Sequence, residues 1–186
     1  MNRPTKAALA AIACSTLLFA QGANAATSTV DYPFATDRIP VYNRLGVYGT
    51  TTAAHRWEAT GGLDLVPVYA EPASGITLRW NSARAGTTVG GWVDYTNWKW
   101  DGRQWELSDC VVNVNTKVAG YGRPYGKWLY AIVTHEVGHC LGWYDHSVYP
   151  SIMRTSLNPN KINAGYHPYT PTSNDLYKMR VAYTTN

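Results

Sequence analysis

The segment His135-Glu136-Val137-Gly138-His139-Cys140-Leu141-Gly142-Trp143-Tyr144-Asp145-His146 gathers the side chains best able to do chemistry. Its first five residues follow the pattern H-E-x-x-H. Histidines four apart on a helix share one face, about one turn from each other, so both imidazoles can reach a single zinc ion. Glu136 directly follows the first histidine, which places its carboxylate beside such a metal rather than on it. A carboxylate there can take a proton from water as a general base. Gly142 can adopt the left-handed conformation that ends a helix sharply. The chain then turns back and can bring Asp145 or His146 to the metal as a third ligand.

The pattern fixes only three positions, and a surface helix with two solvated histidines would also satisfy it. Its context argues against that reading. Trp128-Leu129-Tyr130-Ala131-Ile132-Val133 is an apolar run of the kind that is buried, Gly142 falls where a turn is needed, and Ser151-Ile152-Met153 follows closely. In this stretch the chain resembles the metzincin clan of zinc endopeptidases. Their extended motif, H-E-x-x-H-x-x-G-x-x-H/D, is followed by a Met-turn whose methionine lies under the zinc. Ile152-Met153 matches the Met-turn, at a spacing similar to that of the matrixins. Asp145 followed by His146 looks like the snapalysins, small secreted neutral proteases with an aspartate third ligand. The resemblance is specific over 135–153 and diffuse over the rest of the chain beyond about residue 38.

The resemblance implies a zinc cofactor, Zn2+, held by His135, His139 and Asp145. His146 takes the third place only if the turn absorbs one extra residue. It implies Glu136 as the catalytic base and Met153 as an apolar floor. It implies a protein or peptide substrate lying extended along an edge strand at Gly91 to Tyr95. Structural Ca2+ is a weaker implication, since no calcium-loop signature occurs in the chain. The implied fold is α+β, a zincin catalytic domain with a mixed, twisted five-stranded sheet, an active-site helix, the Met-turn and a C-terminal helix.

The remaining elements must position that segment. Residues 1–25 read as a secretory signal, with Arg3 and Lys6 before an apolar run and Ala23-Asn24-Ala25 as the cleavage site. The run is too short for a stable membrane span, so a secreted, extracellular protein is expected, with no membrane partner. Residues 26–37 read as an N-terminal arm and 38–186 as one catalytic domain. Two of the 16 basic residues go with the signal, leaving 14 against 12 acidic ones, and a charge near +2 argues against nucleic-acid binding. Loss of Cys14 leaves Cys110 and Cys140, an even pair that reads as a disulfide in an exported chain. A monomer is expected.

Within the domain, strands are expected over 38–43, 63–70, 75–80, 91–95 and 110–115. Helices are expected over 50–60, 125–141 and 174–183. Pro67 suits the second strand to a peripheral place. The loop from Arg154 to Thr172 is left without structure, and Tyr166 and Tyr169 are candidates to reach the cleft. Trp92, Tyr95, Trp98, Trp100 and Trp105 form an aromatic cluster. Packing is the plainer reading of it, and a glycan- or protein-binding platform on an inactive fold is the rival. A second rival, with the acidic ligand on a later helix, would have to use Asp175, the last acidic residue of the chain.

Overall fold

The structure is a computed structural model and describes residues 34–100, 102, 105–120, 126–145, 147 and 150–184. Residues 1–33, which hold the expected signal and most of the expected arm, lie outside the described residues, as does His146. The chain forms β1 (Arg38–Asn43), α1 (Thr50–His55), a 3-10 segment (Arg56–Thr60), β2 (Asp64–Val68), β3 (Gly75–Asn81), β4 (Gly91–Trp100) and β5 (Trp105–Asn115). A second 3-10 segment (Thr116–Gly120), α2 (Gly126–Cys140), α3 (Pro159–Asn163) and α4 (Ser173–Thr184) follow. The fold is α+β, with one mixed five-stranded sheet in the order β2-β1-β3-β5-β4.

Neighbouring pairs from β2 to β5 run parallel, and β4 alone is antiparallel to its partner β5. The central strands bury Ile39, Val41, Ile76, Leu78, Val112 and Val114 against the helices. Pro67 sits on β2, an edge strand, where a residue without an N–H leaves no ladder bond broken on the open side. β4 is the other edge, and its residues are half-buried or exposed along its whole length. It is also twice as long as the sequence pattern suggests, ten residues rather than five. The aromatic cluster therefore stands on a β4–β5 hairpin, not a loop. Tyr95 packs on the core and against the Trp98 ring at 5.4 Å, whereas Trp98 and Trp100 are exposed. Packing explains only part of the cluster.

Helix α2 is buried nearly all round, which is why it carries an apolar run rather than a stripe. It packs on α1, on β4 and β5 and on α3. Thr134 Oγ1 donates to the Ala53 carbonyl (3.0 Å), and Trp57 Nε1 donates to the Thr134 carbonyl (2.8 Å). The 50–60 helix is split, with its second half wound as 3-10 and ended by Gly61 at φ 76°. Cys110 and Cys140 form a disulfide that fastens the end of α2 to the middle of β5. No described helix is long and apolar enough to cross a membrane.

Helix α4 closes the domain and reaches the α2 region at both of its ends. At the first turn, Thr172 and Asp175 cap each other. The Asp175 carboxylate accepts from Thr172 N–H (2.8 Å), and the Thr172 hydroxyl accepts from Asp175 N–H (3.4 Å). The same carboxylate accepts from Ser151 Oγ (2.6 Å) and Ile152 N–H (3.1 Å). At the last turn, the buried Tyr183 hydroxyl donates to the Leu141 carbonyl and accepts from Phe34 N–H, each at 3.2 Å.

Candidate metal centre

His135 and His139 project from α2 with rings 4.7 Å apart and edge to face. His135 Nδ1 lies 2.7 Å from the Ile152 carbonyl, and His139 Nδ1 lies 2.6 Å from the Trp143 carbonyl. A carbonyl only accepts, so each Nδ1 carries the proton and each Nε2 presents a lone pair. The two Nε2 atoms are 3.1 Å apart. Asp145 Oδ1 is 3.2 Å from the first and 3.5 Å from the second.

With both imidazoles neutral, three lone-pair atoms thus converge on one point; without a metal, a proton on either Nε2 bridges it to the Asp145 carboxylate. A tetrahedral zinc at about 2.0–2.1 Å from each donor requires donor–donor edges of about 3.3–3.4 Å. The observed edges bracket that value. The chemistry of the set, two neutral imidazoles and one carboxylate, also fits zinc. A second set, His135, Glu136 and His139, gathers within 4.8 Å. Its wider spread makes Asp145 the better third donor and leaves Glu136 as the neighbour.

The turn that delivers Asp145 is built by Gly142. Its φ is 92°, a value that favours glycine. Gly142 N–H donates to the His139 carbonyl (2.9 Å) and Trp143 N–H to the Gly138 carbonyl (3.0 Å), the bond pair of a Schellman cap. The Trp143 carbonyl that orients His139 therefore belongs to the same turn that presents Asp145.

The electrostatics are those of a site designed for charge. The Asp145 carboxyl is held well below the usual carboxylate range. Burial pushes it up, but hydrogen bonds from His135 and His139 outweigh burial. His135 is raised. Burial pulls it down, and the Asp145 bond, the Glu136 charge and the Ile152 carbonyl overcome that pull. Glu136, only 6% exposed, is raised by burial, against the opposing influence of both histidines and Arg84.

Several supporting residues left no clear signal in the sequence. A Cβ on Gly138, in the middle of the motif, would overlap Met153 Sδ and come within 2.7 Å of Trp57. Met153 is fully buried there, under the histidines' helix. A Cβ on Gly91 would stand 2.9 Å from Glu136 Oε1 and 2.7 Å from Ile132 Cγ2. Gly90 and Gly91 let the start of β4 lie directly over Ile132 and Glu136. Asp175 is fully buried in the network under Ile152, so the structure does not place it as a ligand.

The donors open into a cleft of about 850 Å³ between β4 and the chain from Arg154 to Pro159. Val118, Trp128, Ile132 and Leu157 give it apolar walls. The far wall ends at α3, which the sequence reading missed although Asn158-Pro159 is a helix start. The Asn158 side chain accepts from Asn160 and Lys161 N–H, with proline in the first turn. Neither Tyr166 nor Tyr169 lines the cleft. Tyr166 is exposed, and Tyr169 lies under the Arg56 and Lys127 cations at 5.0 and 5.5 Å. No protein-family model matches this chain, and no curated protein is significantly similar to it in sequence.

Proposed function

We propose that this protein is a secreted zinc endopeptidase of metzincin type. The observation that carries the reading is the triangle of His135 Nε2, His139 Nε2 and Asp145 Oδ1, with a buried carboxylate at its side and an open strand edge above. When bound, zinc supplies a Lewis acid that brings the pKa of water toward neutrality and draws charge from a carbonyl.

The chain's own residues supply the rest. The edge of β4 facing away from β5 offers backbone groups to an extended peptide, which fixes the substrate over α2. Glu136 accepts a proton from the attacking water and returns it to the departing amine. A carboxylate with a raised pKa suits both halves of that task, because it holds a proton more readily than an exposed glutamate does. The Ile152 and Trp143 carbonyls keep both Nε2 lone pairs on the metal side. The disulfide accords with an oxidising compartment.

The inactive binding-module reading draws on the exposed Trp98 and Trp100. It leaves the buried Glu136 without a purpose, and an acid buried at no functional gain is costly. Purified protein should bind one zinc per chain by metal analysis and digest casein. A chelator should abolish digestion and added zinc restore it. Digestion at full rate in excess chelator, or protein free of zinc after loading, refutes the proposal.

A further inference from the structure

The cleft carries cations that the proposed chemistry does not use. Arg84 and Lys117 line it, and among the described residues neither side chain is paired with a carboxylate. The acidic residues lining the cleft, Glu136 and Asp145, belong to the metal centre. The two cations are not strays on loose loops. Asn115, fully buried, donates through Nδ2 to the Arg84 and Val89 carbonyls, both at 2.7 Å. Its Oδ1 accepts from Lys117 N–H at 3.0 Å. The Lys117 ammonium reaches the Thr87 carbonyl at 3.3 Å, and the Arg84 guanidinium lies 4.8 Å over the Trp92 ring. One buried amide thus holds both cation-bearing segments at the same rim.

Their place along the cleft follows from Glu136. The departing nitrogen must meet that carboxylate, so the residues beyond the cleaved bond lie on its side of the donor triangle. That side is the start of β4, where even a Cβ on Gly91 would meet Glu136, and the segment carrying Arg84 leads directly into it. We infer that Arg84 and Lys117 form a carboxylate subsite at the leaving-group end of the cleft. It takes an acidic side chain, or the free C-terminal carboxylate, a few residues beyond the cleaved bond. The inference rests on the peptidase reading and names part of its substrate class.

The test uses the zinc-loaded protein and a quenched fluorescent peptide series. Glutamate or glutamine is placed in turn at each of the first four residues after the cleaved bond. Each peptide is made with a free and with an amidated C-terminus. The expected result is a kcat/KM preference of about fivefold for the added carboxylate at one position or for the free terminus, the size of an exposed but fixed ion pair. The preference ratio should fall to about one in Arg84→Gln/Lys117→Gln, and shrink as salt rises from about 0.05 to about 0.5 M. The ratio is independent of folded fraction and zinc content. A position effect identifies the side chain as the source and an end effect the terminus. Equal rates across the series, or a preference that survives the double substitution, overturn the subsite. If no peptide is cut, the peptidase reading has failed. The subsite is then judged by fluorescence anisotropy of the same peptides on Glu136→Gln protein, where equal affinity for carboxylate and amide forms overturns it.

Discussion

Glu136 and Gly91 meet across the cleft, and each makes a separable demand on the site. Glu136→Gln keeps the donor triangle and removes the proposed base. Zinc content by metal analysis should be unchanged, while kcat falls by about 10³-fold or more. Loss of zinc with activity would instead make Glu136 structural. Gly91→Ala puts a methyl group where Glu136 Oε1 and Ile132 stand, so the carboxylate or the strand must shift. About a hundredfold loss in kcat with zinc retained is expected, as for a misplaced catalytic group. Steady-state kinetics beside metal analysis decides it. His135, Glu136, His139, Gly142 and Asp145 were legible in the sequence because their spacing is local, within one helix and its turn. Gly138 and Gly91 were not legible in their roles. Their reason is a contact with Met153, Trp57 or Glu136, and no local pattern encodes the neighbour.

Elements show the same division. The spacing of Ile152-Met153 from the histidines is legible in the sequence, but what holds that turn is not. Asp175 ties that turn to the first turn of α4, and the Ile152 carbonyl in turn orients His135. Asp175→Ala removes the acceptor of the buried Ser151 hydroxyl and Ile152 N–H and of the half-buried Thr172 N–H. It should lower stability by about 3 kcal/mol in denaturant titration and weaken zinc binding together with it. Full zinc affinity in the folded variant would separate Asp175 from the site. The length of β4 escaped the reading because an edge strand with one packed face has weak alternation past Tyr95. Helix 50–60 was read as one piece because its apolar spacing continues through the change to 3-10 winding.

Across the whole molecule, two long-range ties bear on stability. Replacing Cys110 and Cys140 by alanine opens a link across a sequence separation of 30 residues. About 3–4 kcal/mol of stability should go with it in the chain-entropy model, read as a lower Tm. The Tyr183 phenol is raised well above its ordinary value of 10.0 by burial. A folded state that prefers the neutral phenol keeps this contribution below about pH 10 and loses it as pH climbs further. Tyr183→Phe should therefore be less stable at neutral pH, by about 1–3 kcal/mol for the stranded Phe34 N–H, yet show a shallower alkaline decline. Equal slopes in urea titrations above pH 10 would show that Tyr183 does not govern that limb.

Helix α4 grips the surroundings of the candidate metal centre from two directions, at Ile152 through Asp175 and at Leu141 through Tyr183. Its detachment would release at once the carbonyl that aims His135 and the turn that brings in Asp145. On the peptidase function proposed above, this bears on survival among the protein's own copies. A molecule becomes food for its neighbours when a segment peels away and offers extended backbone. Here the peeling of α4 also disarms the molecule that suffers it. On that reading the opened copy would be a substrate and no longer an enzyme, so self-digestion would consume casualties without recruiting them as attackers.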